Sequence, residues 1–218
     1  MHRLEARINM IKQQLRTWQV TDETLIECIE SLPREHFVPK GFESIAYSDF
    51  AIPLTDNEIM LPPQIVGRAL QLLEIKRNET VLEIGTGTGY ITALLVKLAA
   101  HVYSKESNSA LFSEARSRLE PFNFPNLTLE LGDGHLGWPA HALYDCIFVT
   151  GAYPLGIPDE LKSQIRDKGR IFAFTGVGST VQGQLFTRES KTKWHVKTYF
   201  ETAVPCLDHA ALPPSFSF

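Results

Sequence analysis

The residues of this 218-residue chain best suited to chemistry are an acid followed by three glycines two apart: Glu83, Gly85, Gly87 and Gly89, in Val81-Leu82-Glu83-Ile84-Gly85-Thr86-Gly87-Thr88-Gly89-Tyr90. An apolar run leads into the acid, and Ile91, Leu94, Leu95 and Leu98 follow at helical spacing, so the glycines fall on a turn from strand to helix. Glycine there lets the backbone bend sharply and lets a ligand approach where a Cβ would stand. The first N–H groups of the following helix point at such a ligand. The pattern predicts a nucleotide-type cofactor loop, with a ligand-free tight turn as the plainer alternative. A dinucleotide fingerprint needs G-x-G-x-x-G, and position 90 is tyrosine.

Two more acids sit where an adenosyl ligand needs them. His101 to Glu106 reads as a second strand, and Glu106 lies 21 residues beyond Gly85, near the offset of about 20 at which an acid holds ribose hydroxyls. A carboxylate accepts from both hydroxyls at once. Leu127 to Leu131 reads as a third strand ending in Gly132-Asp133-Gly134, an acid placed to accept from an adenine amino group. The candidate cofactor residues are Glu83, Ile84, Gly85, Thr86, Gly87, Thr88, Gly89, Tyr90, Glu106, Ser107, Asp133, Gly134 and Thr150. The Glu-x-Gly-x-Gly-x-Gly spacing resembles motif I of the class I S-adenosylmethionine-dependent methyltransferases, which implies S-adenosyl-L-methionine as cofactor.

The elements around these residues follow from periodicity. A helix is expected from about Leu4 to Trp18, and a second, capped by Thr21 or Asp22, carries Leu25, Ile26, Ile29 and Leu32 until Pro33 stops it. Residues 33–39 read as loop, with His36 a packing residue. Pro62 and Pro63 start a helix burying Ile65, Val66, Ala69, Leu70 and Leu73. Leu111, Ala115 and Leu119 mark a helix between strands two and three, and Tyr144 to Thr150 is a buried strand. A short helix from Pro158 to Ile165, closed by Gly169, precedes a strand from Ile171 to Thr175. Gln182 to Arg188 and Trp194 to Thr202 alternate as an antiparallel pair. The expected fold is α/β and Rossmann-like, a mostly parallel sheet with an antiparallel edge pair and helices on both faces. The chain reads as a single domain: helices and substrate loop over 1–75, a cofactor-binding sheet over 76–207, and a tail over 208–218, mobile from Ala210.

Composition fits a soluble enzyme, 44% hydrophobic and 21% charged. A net charge of −4 leaves no footprint for nucleic acid or an anionic membrane. Three widely spaced cysteines, Cys28, Cys146 and Cys206, predict neither a disulfide framework nor a metal cluster and fit a reducing cytoplasm. No run of 18 apolar residues and no signal sequence is read, and no metal is expected. His135, beside Asp133, reads as a residue of the crevice rim.

Beyond the cofactor loop, Ser31-Leu32-Pro33-Arg34-Glu35-His36-Phe37-Val38-Pro39, Ala46-Tyr47-Ser48-Asp49, Gly132-Asp133-Gly134 and Tyr144 to Thr150 resemble the protein-L-isoaspartate O-methyltransferase family, in its order and spacing over about residues 10 to 207. The resemblance implies methyl transfer to isoaspartyl carboxylates of damaged proteins, a repair activity, with Met60, Leu61, Gly151, Ala152 and Val204 on the substrate side. The departures lie there too. The family's substrate loop has two glycines and ends in Gln-Thr-Ile-Ser-x-Pro, its serine touching the substrate carboxylate. Here Thr55 and Asn57 replace the glycines and Leu61 holds the serine position, so no catalytic residue is assigned. Thr150-Gly151-Ala152-Tyr153-Pro154 replaces Thr-Ala-Ala-Pro, and Thr202 stands where the family has an arginine. Three readings stay open at this point: an isoaspartyl methyltransferase of weakened activity, a methyltransferase for a flatter or more apolar acceptor facing Met60 to Pro63, and a cofactor-binding protein without turnover.

Overall fold

The computed structural model describes residues 2–214. Helix α1 (His2–Met10) continues as a wider π turn over Ile11–Leu15, and α2 (Glu23–Ser31) begins at Asp22, whose carboxylate accepts from the Leu25 N–H at 3.1 Å. Within the segment expected as loop, Arg34–His36 forms a 3₁₀ turn. Two short strands, β1 (Ile52–Pro53) and β2 (Ile59–Met60), pair antiparallel and hold the intervening loop as a small hairpin. Helix α3 (Pro63–Leu73) opens with proline, where the missing N–H costs nothing.

The remainder alternates: β3 (Thr80–Ile84), α4 (Tyr90–Leu98), β4 (His101–Glu106), α5 (Ser109–Leu119), β5 (Leu127–Leu131), β6 (Tyr144–Tyr153), α6 (Asp159–Ser163), β7 (Ile165–Thr175), β8 (Val181–Arg188) and β9 (Trp194–Thr202). One seven-stranded sheet has the order β5-β4-β3-β6-β7-β8-β9, parallel as far as β7, with β8 antiparallel to both its neighbours. The fold is the expected Rossmann-like α/β sheet. Period-two alternation sorts its side chains: Val81, Cys146, Phe148, Phe172 and Phe174 pack with α2, α3 and α4, while Leu82, Ile84, Ile147, Val149, Ile171 and Ala173 pack on the opposite face with Leu161 of α6 and Trp138. Because β4 and β6 flank β3, the chain reverses its winding at β3, and the loop leaving it opens onto the crevice where such sheets bind ligands.

At the opposite edge an ion pair ties the layers. Arg170 of β7 donates to both oxygens of Glu79, at 2.6 and 2.8 Å, and to the carbonyls of Leu73 and Glu74 at the end of α3.

Three expectations are corrected. The short helix spans only Asp159–Ser163, and Gly169 does not close it but lies inside β7, which already begins at Ile165. There Tyr144 pairs with Ile165 and Cys146 with Arg170, so a bulge absorbs the extra residues, and a Cβ at Gly169 would stand 2.8 Å from the Asp145 carbonyl. Strand β6 runs beyond Thr150 to Tyr153 because, past an irregularity, Ala152 and Tyr153 pair again with Phe174 and Thr175 of β7; on its other side Ala152 N–H donates to Pro205 O at 2.9 Å and Leu207 N–H to Ala152 O at 2.8 Å. The tail expected to be mobile from Ala210 is packed at that residue, which is buried on the sheet face that carries Trp138 and Leu161. The end of that expected tail, 215–218, lies outside the described residues. No described helix is long and apolar enough to cross a membrane.

Candidate functional site

The loop between β3 and α4 folds as its glycines require. Gly85 has φ +87°, and a Cβ there would collide with the hydroxyl of Thr150, which donates to the carbonyls of Ile84 and Gly85 at 3.0 and 2.9 Å. Gly87 has φ +54°, and its N–H donates to Glu106 at 2.8 Å. Leu54, from the hairpin loop, stands 3.5 Å from where a Gly87 Cβ would be, so this loop closes directly over the glycine turn.

Glu106, at the end of β4, is almost wholly buried. Its second oxygen accepts from the Asn108 N–H at 2.9 Å. Burial pushes its pKa up and outweighs the hydrogen bonds from Asn108 and Gly87, with the nearby Glu58 adding to the rise. Glu58 reaches across from the hairpin loop, accepting from Thr55 Oγ1 at 2.8 Å and Asn108 Nδ2 at 3.1 Å. At the end of β5, Asp133 accepts from the His135 backbone and ring at 2.8 Å. Burial raises its pKa, but these hydrogen bonds outweigh it and hold the carboxyl below the usual range. His135 is a rim residue, as expected.

These groups line one crevice along the ends of β5, β4 and β3. Ile84, Gly85, Ser107, Asp133 and Gly134 line its outer end; Gly85, Gly87, Glu106, Ser107, Thr150, Gly151 and Val204 line the middle; Gly85, Thr86, Gly87, Thr88, Tyr90, Met60, Leu61 and Thr150 line the inner end. Three expected site residues lie outside it. Gly89 is the N-cap of α4, and a Cβ there would press on Leu119 at 3.1 Å. Ala152 is buried and acts through the two backbone bonds that hold residues 205–207. Glu83 points into the layer beneath α4, where one carboxylate oxygen accepts from Thr92 and Ser104, each at 2.6 Å, because the pleat puts it on the same face as Val81.

Burial raises the Glu83 pKa to about 8, from an ordinary 4.5. Between those values the folded chain holds a proton that the unfolded chain has released, so this contribution is complete below pH 4.5 and is lost as pH rises to about 8. Unfolding in denaturant at pH 5, 6.5 and 8 should show the parent losing stability more steeply than Glu83→Gln. Parallel pH profiles would mean that Glu83 does not titrate in this range.

Reasoning from the sequence missed Leu54, Glu58, Leu207 and Asp208, all lining the middle of the crevice. Ser107 donates to Asp208 at 3.0 Å, and a Cβ on Gly151 would approach the Leu207 Cα to 2.9 Å, so residues 204–208 form a close-packed wall. Only Glu58 carried a signal, as an acid within a loop already marked as unusual.

Comparison with known proteins agrees with this geometry. The model of the family described as protein-L-isoaspartate(D-aspartate) O-methyltransferase matches residues 5–209. The chain is 36% identical over 195 residues to the protein-L-isoaspartate O-methyltransferase of Yersinia pestis, covering 89% of this chain and 92% of that one. It is 40% identical over 166 residues to that of Erwinia tasmaniensis, covering 76% and 79%. Among solved structures, a protein-L-isoaspartate O-methyltransferase superposes with a TM-score of 0.80 at 23% identity, over 92% of this chain and 65% of that one. A Plasmodium falciparum protein assigned to the same activity, in complex with S-adenosyl-L-homocysteine, superposes with a TM-score of 0.78 at 15% identity, over 94% and 98%.

Proposed function

Because the chain belongs to the protein-L-isoaspartate(D-aspartate) O-methyltransferase family, we propose that its crevice holds S-adenosyl-L-methionine along the ends of β5, β4 and β3 and presents it to a carboxylate on a damaged protein or peptide. The chain is an S-adenosylmethionine-dependent methyltransferase. The observation that carries the placement is the buried Glu106 carboxylate beside the glycine turn: each oxygen has one N–H donor and keeps a lone pair for a ribose hydroxyl. Asp133 and Gly134 then take the adenine end, with Ser107 between them and Glu106.

When bound, the cofactor supplies a methyl group on a positively charged sulfur, which the acceptor oxygen takes as the sulfur keeps the bonding electron pair. A carboxylate with a pKa of about 4 is ionised at pH 7, so the protein need not remove a proton. Its work is alignment and exclusion of water. Thr150, Gly151 and Val204 wall the crevice on the acceptor side, with Met60 and Leu61 farther in. The three free cysteines support a reducing cytoplasm as the setting, with repair of aged proteins as the role.

Leu61 supports a second reading, an acceptor more apolar than a peptide carboxylate. Its side chain is fully buried where the family's serine would donate a hydrogen bond. A charge-assisted hydrogen bond is worth about 1.5–3 kcal/mol, so Leu61→Ser should raise methyl transfer to an isoaspartyl peptide about tenfold or more. Transfer of labelled methyl to isoaspartyl and matched aspartyl peptides, parent beside variant, checks this. Robust isoaspartyl-selective turnover by the parent would show that Leu61 does not impair the site, whereas no turnover by either protein would favour the apolar acceptor.

A further inference from the structure

The inner end of the crevice contains a cation with no counter-charge. Arg34, from the 3₁₀ turn after α2, is fully buried. Its Nε donates to the Ala46 carbonyl and its Nη2 to the Leu61 carbonyl, both at 2.8 Å, while Nη1 is buried without a partner. Among the described residues it forms no ion pair with an acidic side chain; the Tyr90 ring lies 4.9 Å from the guanidinium carbon, and the Tyr90 and Tyr47 side chains are what favours its charge. Burial lowers its pKa to about 10, so it stays charged at neutral pH. A buried, unpaired guanidinium is costly, and a fold that keeps one leaves a place for an anion.

Arg34 lines the inner end of the crevice with Leu61 and the glycine turn from Gly85 to Thr88. The start of α4, a nine-residue helix, borders the same cavity through Tyr90 and Ile91 and adds the positive end of its dipole. We propose that Arg34 is the counter-ion for the amino-acid carboxylate of S-adenosylmethionine. The assignment rests on the placement given above: with adenine at the end of β5 and ribose at the end of β4, the amino-acid portion falls at the end of β3, where this cavity opens.

The test is calorimetric binding of S-adenosylmethionine and of its decarboxylated form to the parent, Arg34→Met and Arg34→Lys, with no acceptor present. The parent should prefer the carboxylated ligand roughly 30-fold or more, the cost of leaving one partner of a buried charge pair alone. Arg34→Met should lose most of that preference, keeping no more than the few-fold that the start of α4 supplies, and Arg34→Lys should keep a larger part, which a merely structural role would not produce. Equal affinities in the parent, or a preference that survives undiminished in Arg34→Met, would overturn the assignment. Steady-state methyl transfer to an isoaspartyl peptide is measured alongside, and a defect of Arg34→Met confined to the KM for the peptide would also overturn the assignment, giving Arg34 to the acceptor carboxylate instead. Should Arg34→Met fail to fold, the parent and Arg34→Lys still decide the question. Binding of neither ligand by the parent would overturn the cofactor placement along with the assignment, whereas equal affinities leave the placement standing.

Discussion

Gly85→Ala is expected to weaken cofactor binding roughly 150-fold, about 3 kcal/mol, of which 1–2 kcal/mol is the cost of a left-handed backbone for an L-residue and the rest is overpacking. The added Cβ would meet the Thr150 hydroxyl, whose two acceptors are the carbonyls of Ile84 and Gly85, so it cannot be displaced without moving the end of β6 or the turn itself. The ligand must then restore the geometry at its own cost. The Thr150 Cβ stands 3.5 Å away, an ordinary contact, so Gly85→Ala combined with Thr150→Ala should recover the steric part and bind within about 30-fold of the parent. Calorimetric titration of the single and double variants with S-adenosylhomocysteine measures the coupling. Strictly additive losses would mean that the hydroxyl is not what excludes a side chain at position 85.

Arg170→Met should cost the fold about 3 kcal/mol, near the lower end for breaking a buried pair because both side chains keep slight exposure. The loss has several sources. Glu79 would be left without its two-pronged partner, and the carbonyls of Leu73 and Glu74 would lose their donors at the end of α3. In a chain of this size the melting temperature should fall by roughly 10 °C. The pair also has a pH signature. Burial raises the Glu79 pKa, but Arg170 and the Lys76 N–H more than offset this and hold it below the ordinary 4.5. Its stabilisation is therefore complete above pH 4.5 and is lost as pH falls through the lowered value. Thermal melts from pH 7 to pH 3 should show a steeper acid decline in the parent than in Arg170→Met, and a variant melting within about 2 °C of the parent at pH 7 would contradict the role given to the pair.

Local signals carried the fold a long way. The limits of β4 and β5 and the cap of α2 at Asp22 follow from alternation, helical spacing and one capping side chain, all properties of neighbouring residues. Glu83 shows where that logic stops. Its spacing from Gly85 marks a cofactor motif, yet strand pleat decides which way its carboxylate points, and Val81 on the same face already belonged to the helix-covered layer. Gly169 misled for a related reason: glycine after a short helix commonly ends it, but here close approach to the Asp145 carbonyl requires glycine within a strand. Arg34 and Asp208 were beyond reach because their roles depend on contacts 27 and 101 residues away, with Leu61 and Ser107. Nothing in the local pattern states such distances.

The wall built from residues 204–208 bears on the timing of turnover. Two backbone bonds to Ala152 and the contact between Ser107 and Asp208 hold it, with Val204 and Ala210 tucked in at either end. At about 1 kcal/mol for each bond, and about 2 kcal/mol for the apolar burial together, swinging this segment away costs roughly 5 kcal/mol. About one molecule in several thousand is then open at any instant. Segments of this length reclose in about a microsecond, so openings come on the order of 10² times per second. Ordinary enzymes complete between about 1 and 10³ cycles per second. On the placement proposed above, departure of the spent cofactor past this wall would run on the same clock as the chemistry, and a substitution at Asp208, which need touch no reacting atom, would reset the pace of the cycle.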